Sequence, residues 1–442
     1  MALSSETWVK LYKRFDPKLR LAETEEKELY VQRPGATADR ILQALPLEEV
    51  GKWVVCGSMG SGKSSELVHL ANKLWKDHTV IGVDLAASSA RVDSLTPPEV
   101  LFLLGAAAVV RARRDGHDVS GASLSELSSA FHDLIDPKDR RSQVDVESLI
   151  EGVSLFATAM DASAGALAAP AGAFVKALLG GATRHVKEGE PEVEKLVLAV
   201  DAVLSDVAAR MDPPMLLVDG LDKVTDLATI RALFTTTRLL ARPKVPIVYS
   251  GPITLMLSTE WHAASAAFKQ ERLTNVVVAR PPKELVDRLE LDVAGDKITA
   301  GCRAMREVVE RRLRYHGVDV DQAFSGDALA SIITASGGVL RDLVHLVNRC
   351  CALAHAEASK QGGAIVTGQM AADAITEMRK EFEVTLTTNR VDELKHVKQY
   401  GEPKGLTEES ARLLLSGYVL PYSNGKVWFE PHPVLRGARR DL

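Results

Sequence analysis

Short apolar runs alternate along this chain with longer segments whose apolar residues return every three or four positions. Residues 52–56 form one such run, ending at a glycine-rich loop, after which Leu67, Leu70, Ala71 and Leu74 mark one face of a helix. Residues 78–85 (HTVIGVDL) are rich in β-branched side chains and bounded by charged and small ones, which predicts a second strand. Pro98 then opens a helical run through Arg113. Pro191 stands at a first helical position, where proline is favoured, and Val193, Leu196, Val197, Val200, Val203, Leu204 and Val207 follow on one face. Residues 215–218, 246–250 and 275–279 read as three more buried strands, spaced so that helices fit between them. Strands alternating with helices imply a parallel sheet covered on both faces.

Between about 120 and 190 the alternation is interrupted by a polar segment, an Ala/Gly-rich stretch and a charged run, which reads as an insertion in the core. Beyond Pro281-Pro282 the pattern turns helical, at 304–315, 327–335, 340–356 and 369–382, as expected of a lid domain. A helix at 408–415 is followed by two β-prone runs, 418–422 and 426–429, joined at Asn424-Gly425. Asn-Gly between such runs is a strong hairpin signal, and helices followed by a hairpin suggest a small winged-helix-like module.

At 442 residues the chain is too long for one core of ordinary size, and 46% hydrophobic with 26% charged residues is typical of a soluble globular protein. Lysine and arginine (54) against aspartate and glutamate (59) give a formal charge of -5, which disfavours a surface built wholly for nucleic acid. Cys56, Cys302, Cys350 and Cys351 show neither zinc spacing nor a disulfide framework, and residues 1–20 lack the apolar core of a signal peptide, so a cytoplasmic location is expected. Residues 153–182 are long enough to cross a bilayer, but Asp161, Pro170 and Lys176 interrupt them and much of their apolar content is alanine. A helical insert packed on the protein is the expectation, and a membrane partner is disfavoured.

The chemistry concentrates at Gly57-Ser58-Met59-Gly60-Ser61-Gly62-Lys63-Ser64, with Ser65 following. Its spacing is the Walker A pattern, and it lies between a predicted strand and a predicted helix as that motif requires. Inward-turned backbone N–H groups and a helix N-terminus receive phosphate oxygens, Lys63 reaches the β- and γ-phosphates, and Ser64 ligates Mg²⁺. ATP and Mg²⁺ are therefore the expected cofactors, with ADP as product. Residues 215–218 lead an apolar strand to Asp219, the candidate magnesium acid, while Asp222 is placed either to orient the attacking water or to cap the next helix. The expected fold class is α/β: a P-loop NTPase parallel sheet with helices on both faces, then a helical lid and a small winged-helix-like C-terminal module. The corresponding divisions are 1–45, leading into the nucleotide site, then 46–283, 284–385 and 386–442.

Walker A, the segment DGLDK (219–223), the strand PIVYSGP (246–252) and SGGVLRDL (336–343) stand in an order that resembles AAA+ and STAND-type P-loop ATPases over roughly residues 30–356. DGLDK is similar to the DGLDE signature of NACHT-type switch ATPases, with Lys223 in place of the final acid, a departure that argues against fast hydrolysis. The resemblance implies that Ser250 is a sensor of the γ-phosphate and that Arg341 reaches the phosphates from the lid. It also implies an arginine finger, for which Arg272 is the candidate and Arg238 and Arg242 compete, and a base-lining segment around Arg33, Pro34 and Gly35. His432, between Pro431 and Pro433, reads as a histidine in a surface loop rather than a nucleotide contact. The function so implied is an ATP-binding and ATP-hydrolysing conformational switch or assembly ATPase, homo-oligomeric and acting through a separate effector protein, as in bacterial conflict or antiviral defence. A DNA-binding AAA+ loader or transposition regulator is the alternative, supported by Arg436, Arg439 and Arg440.

Overall fold

Strands β1 (Lys52–Gly57), β2 (Thr79–Asp84), β3 (Pro214–Asp219) and β4 (Ile247–Pro252) are buried along nearly their whole length, as strands covered on both faces must be. With the more exposed β5 (Lys269–Arg272) at one edge they form a parallel sheet of order β2-β3-β4-β1-β5. The computed structural model from which this is taken describes residues 2–19, 28–48, 50–88, 92–134, 189–291 and 295–437. The stretch 153–182 lies outside the described residues, as do Arg439 and Arg440. Among the described residues no helix is long and apolar enough to cross a membrane.

Alternation along β1 divides the core cleanly. Val54 and Cys56 face the helices Pro97–Arg114, Gly121–Leu134 and Pro191–Ala208, whereas Trp53 and Val55 face the helices Ala38–Ala44 and Lys63–Leu74. Because β1 is flanked by β4 on one side and β5 on the other, the chain turns away in opposite directions around it. Such a reversal opens a crevice at the carboxyl ends of the strands, and Gly57, Asp84, Asp219 and Ser250 all lie at that edge.

The fifth strand differs from expectation. Residues 275–279 are not paired in the sheet, and β5 is the polar stretch just before them. The reason lies in where their backbone bonds go: the Asn275 N–H donates to Pro421 O of the hairpin (2.9 Å), and the Val276 N–H donates to Gly338 O of the lid (3.2 Å). Arg272 consequently ends β5 instead of preceding it, and its guanidinium is exposed.

Lid helices Gly295–Arg314, Gly326–Ala335, Leu340–Gln361 and Gly368–Glu383 share one apolar cluster, joined by Val419 and Phe429 of the antiparallel hairpin β6 (Val419–Asn424) and β7 (Lys426–Pro431). The N-terminal helix Ser5–Arg14 adds Trp8 and Leu11 to that cluster, followed by Phe15. Its spacing makes one apolar face, and the face lies on the helix Leu340–Gln361, where Asn348 Nδ2 donates to Tyr12 O (2.7 Å).

Candidate nucleotide site

The loop after β1 curls because Gly60 and Gly62 take left-handed backbone angles, φ 80° and 99°, and the helix Lys63–Leu74 starts directly behind them. Gly60 has a second reason to be glycine: a Cβ there would come within 2.8 Å of Arg341 Cβ. The Arg341 N–H donates to Gly60 O (3.3 Å), so the lid is seated on the loop itself.

Lys63 is buried rather than waving in solvent. Its Nζ donates to Gly57 O (2.8 Å) and Ser58 O (2.7 Å) and pairs with Asp222 Oδ2 at 3.0 Å. Ser64, which is exposed, donates from Oγ to Asp219 Oδ2 (2.7 Å), and the Gly220 N–H donates to Asp219 Oδ1 and to Ser250 Oγ, both at 2.9 Å. Ser250 Oγ also contacts Asp222 Oδ1 at 3.4 Å. Strands β1, β3 and β4 thereby bring Lys63, Ser64, Asp219, Asp222 and Ser250 into one network.

Asp84, at the end of β2 and level with Asp219, is a further buried carboxylate that sequence reasoning passed over. Burial, then the neighbouring Asp222 charge, and Asp84 behind it, push the Asp219 carboxyl up, against the pull of the Ser64 bond. A hard divalent cation fits this donor set: Ser64 and Asp219 would hold Mg²⁺, which would supply the positive charge that the crowded carboxylates favour.

A cavity of about 860 Å³ lies over the loop. Lys63, Ser64, Asp219 and Asp222 line its phosphate end, and Tyr30, Arg33 and the lid's Arg341 stand on other walls together with apolar Val31, Val308, Leu340 and Val344. Apolar walls with a few placed polar groups suit a purine base and ribose. Met59, Gly60, Gly62 and Ser65 also line it, whereas Gly57, Ser58 and Ser61 shape the loop from behind, Ser58 Oγ donating to Asn275 Oδ1 (3.0 Å). Pro34 and Gly35 are exposed and lie off the cavity wall.

Two sequence-singled arginines sit apart. Arg272 Nε donates to Gln270 Oε1 (2.9 Å) at the sheet edge, away from this cavity. Arg242 is closed in a two-pronged pair with Glu194, at 2.9 and 2.8 Å. His432 is not in a surface loop but fully buried: Nδ1 accepts from the Val434 N–H (3.1 Å), which leaves Nε2 to donate to Asp342 (3.2 Å), the residue after Arg341. The flanking prolines fix the turn, and the fold packs the ring against Phe382.

The Lys63–Asp222 pair has a measurable consequence. A phosphate must share the ammonium with a carboxylate already bonded to it, so Asp222→Asn is expected to bind ATP roughly tenfold more tightly, the gain of about one charge-assisted contact. Turnover should fall if Asp222 also orients water. Fluorescent-nucleotide titration and phosphate release read the two effects, and weaker ATP binding in the variant would contradict this account of the pair.

No protein-family profile and no curated protein matches the chain. Among solved structures it is similar to the Aeropyrum pernix ORC2 protein in its ADPNP-ADP complexes, at 12% identity with a TM-score of 0.43, covering 96% of this chain and 94% of that one. The ADP form of the same protein gives 12% identity and a TM-score of 0.40 over 96% and 94%. Aeropyrum pernix ORC1 in complex with DNA gives 12% and 0.37 over 98% and 95%. The case for a nucleotide rests on the cradle itself: an αL-glycine loop between strand and helix, a lysine and a serine at its end, and two acids facing them.

Proposed function

We propose that this protein is an ATP-binding and ATP-hydrolysing AAA+/STAND-type switch, in which bound nucleotide sets the position of the lid and hairpin module against the sheet. One observation carries the reading: the cavity wall is shared by the phosphate loop, the segment before β1 and the lid helix that bears Arg341. A ligand filling it touches all three, so its γ-phosphate has differential contacts to offer two arrangements of the lid.

In this reading Lys63 neutralises the β- and γ-phosphates, Ser64 and Asp219 hold Mg²⁺, and Asp222 orients water while Ser250 holds Asp222. Arg341 senses the γ-phosphate from the same chain. Arg272, exposed at the sheet edge and outside its own cavity, is suited to complete a neighbour's site, which makes homo-oligomer formation part of the proposal. Lys223 following Asp222 favours slow turnover, the property of a switch more than of a motor. A separate effector protein, of the kind used in bacterial defence, would read the assembled state.

Mass measurement in solution tests this. With a non-hydrolysable ATP analogue the wild type is expected to assemble, and with ADP to remain smaller. Arg272→Ala should bind ATP normally, hydrolyse it at least about a hundredfold more slowly, as loss of a transition-state charge predicts, and regain activity when mixed with a Lys63-deficient partner. Identical masses with both nucleotides, or full activity of Arg272→Ala, would sink the assembly reading.

A further inference from the structure

Glu66 lies three residues past Lys63 on the phosphate-loop helix, buried among groups of the segment that precedes β1. One carboxylate oxygen accepts from the Thr37 N–H (2.7 Å), the Ala38 N–H (3.0 Å) and Thr37 Oγ1 (3.3 Å). The other accepts from the Tyr30 hydroxyl (3.1 Å). Burial, and then the Glu66 charge, hold the Tyr30 phenol well above its ordinary range, so it stays a donor. The Tyr30 ring stacks on His69 of the same helix, 4.0 Å between centroids and 8° from parallel.

Segment 30–38 is therefore fixed to the phosphate-loop helix at both ends, and Arg33 lies between the anchors. Arg33 is buried in the cavity wall with Nη1 donating to Thr274 O (3.1 Å), while Nε and Nη2, the side-on fork of the guanidinium, have no hydrogen-bond partner among the described residues. Buried donors of this kind are costly. The carboxylate's own position is costly too, because a negative charge one turn from the phosphate cradle repels the anion the cradle binds. Packing alone would be served as well by a neutral side chain, so the four bonds to segment 30–38 are what the charge is there to make.

We infer that Glu66 is a positioning residue that sets the spacing between the phosphate cradle and the wall carrying Tyr30 and Arg33, so that the site selects a whole nucleoside triphosphate over a bare polyphosphate. This rests on the nucleotide reading above. Phosphates anchored at Lys63 carry the rest of the ligand toward the apolar end of the cavity, and only a wall held at the right distance meets base and ribose. Loss of Glu66 frees that wall and also removes a charge that opposes phosphate. The first effect weakens ATP alone, whereas the second favours both ligands.

Calorimetric titration with Mg-ATP and with Mg-tripolyphosphate separates them. Glu66→Ala is expected to weaken ATP binding about tenfold or more, the loss of hydrogen bonds to a charged group, while tripolyphosphate binding holds or tightens. Glu66→Gln, whose carbonyl oxygen can still accept from the Thr37 and Ala38 N–H groups while its amide N–H turns to the Tyr30 hydroxyl, keeps the bonds but loses the charge and should fall between wild type and alanine. Should the alanine protein fail to fold, Tyr30→Phe keeps the ring stack, removes one bond and is expected to lower ATP affinity about threefold with tripolyphosphate unchanged. Equal weakening of both ligands would reduce Glu66 to a packing role, and unchanged ATP affinity would remove the role altogether. Wild-type protein that binds neither ligand would overturn the nucleotide reading itself, an outcome distinct from either.

Discussion

Gly338→Ala is expected to destabilise the lid by about 3 kcal/mol or more, the sum of a left-handed backbone forced on a side chain and a clash with backbone that cannot rotate away. Gly338 sits at φ 70°, and a Cβ built on it falls 1.8 Å from Val276 O. That carbonyl belongs to the segment leaving the sheet, whose Val276 N–H is bonded to Gly338 O. Next door, Gly337 at φ 59° accepts from the Tyr422 hydroxyl (2.8 Å), and a Cβ there would run into Leu420 and Pro433. Core, lid and hairpin thus meet at two glycines, three residues ahead of the arginine seated on the phosphate loop. Urea unfolding followed by tryptophan fluorescence should show the transition at markedly lower denaturant, and ATP affinity should fall with it. A variant with the wild-type midpoint would mean that the junction is pliable and that nucleotide state is not passed through it.

That junction was half legible from sequence. Ser336-Gly337-Gly338 is visibly a break before a helix, and the strand-loop-helix at 52–74 is spelled out by an apolar run, glycines and a helical period. Asp219 followed from an apolar strand ending in a carboxylate, and the hairpin from Asn424-Gly425. What failed was the inference from hydrophobicity to sheet membership. Val276 and Val278 are buried, but in the lid cluster, while the real edge strand, Lys-Gln-Glu-Arg, has no apolar signal because one side of an edge strand meets solvent.

Glu66 shows a different limit. Four positions before Leu70, it falls on the helix face that Leu67, Leu70 and Leu74 bury, so its burial could have been read from the period. Its partners could not, since Tyr30 and Thr37 reach it only through the packing of the helix Ala38–Ala44 on the phosphate-loop helix. His432 and the N-terminal helix are alike in this respect. Residue type and local spacing predict that a group wants a partner, whereas which partner it finds, Asp342 or the helix Leu340–Gln361, is decided by tertiary contact.

Lys63→Ala carries the second large effect. The ammonium is bonded directly to the loop, donating to Gly57 O and Ser58 O. Removing it takes away a charge-assisted contact to phosphate, worth about 3 kcal/mol, and leaves Asp222 without its counter-charge beside Asp219, which adds repulsion to any incoming anion. Both changes act in the same direction. Because the side chain is buried, circular dichroism of the variant belongs beside its binding curve.

Titration of the wild type and of folded Lys63→Ala with Mg-ATP by isothermal calorimetry shows whether this loop holds the nucleotide. A single saturable site is expected in the wild type, with an affinity at least about a hundredfold lower in the variant, the equivalent of roughly 3 kcal/mol. Equal affinity in the two proteins, or no ATP binding by the wild type, would contradict that role of the loop.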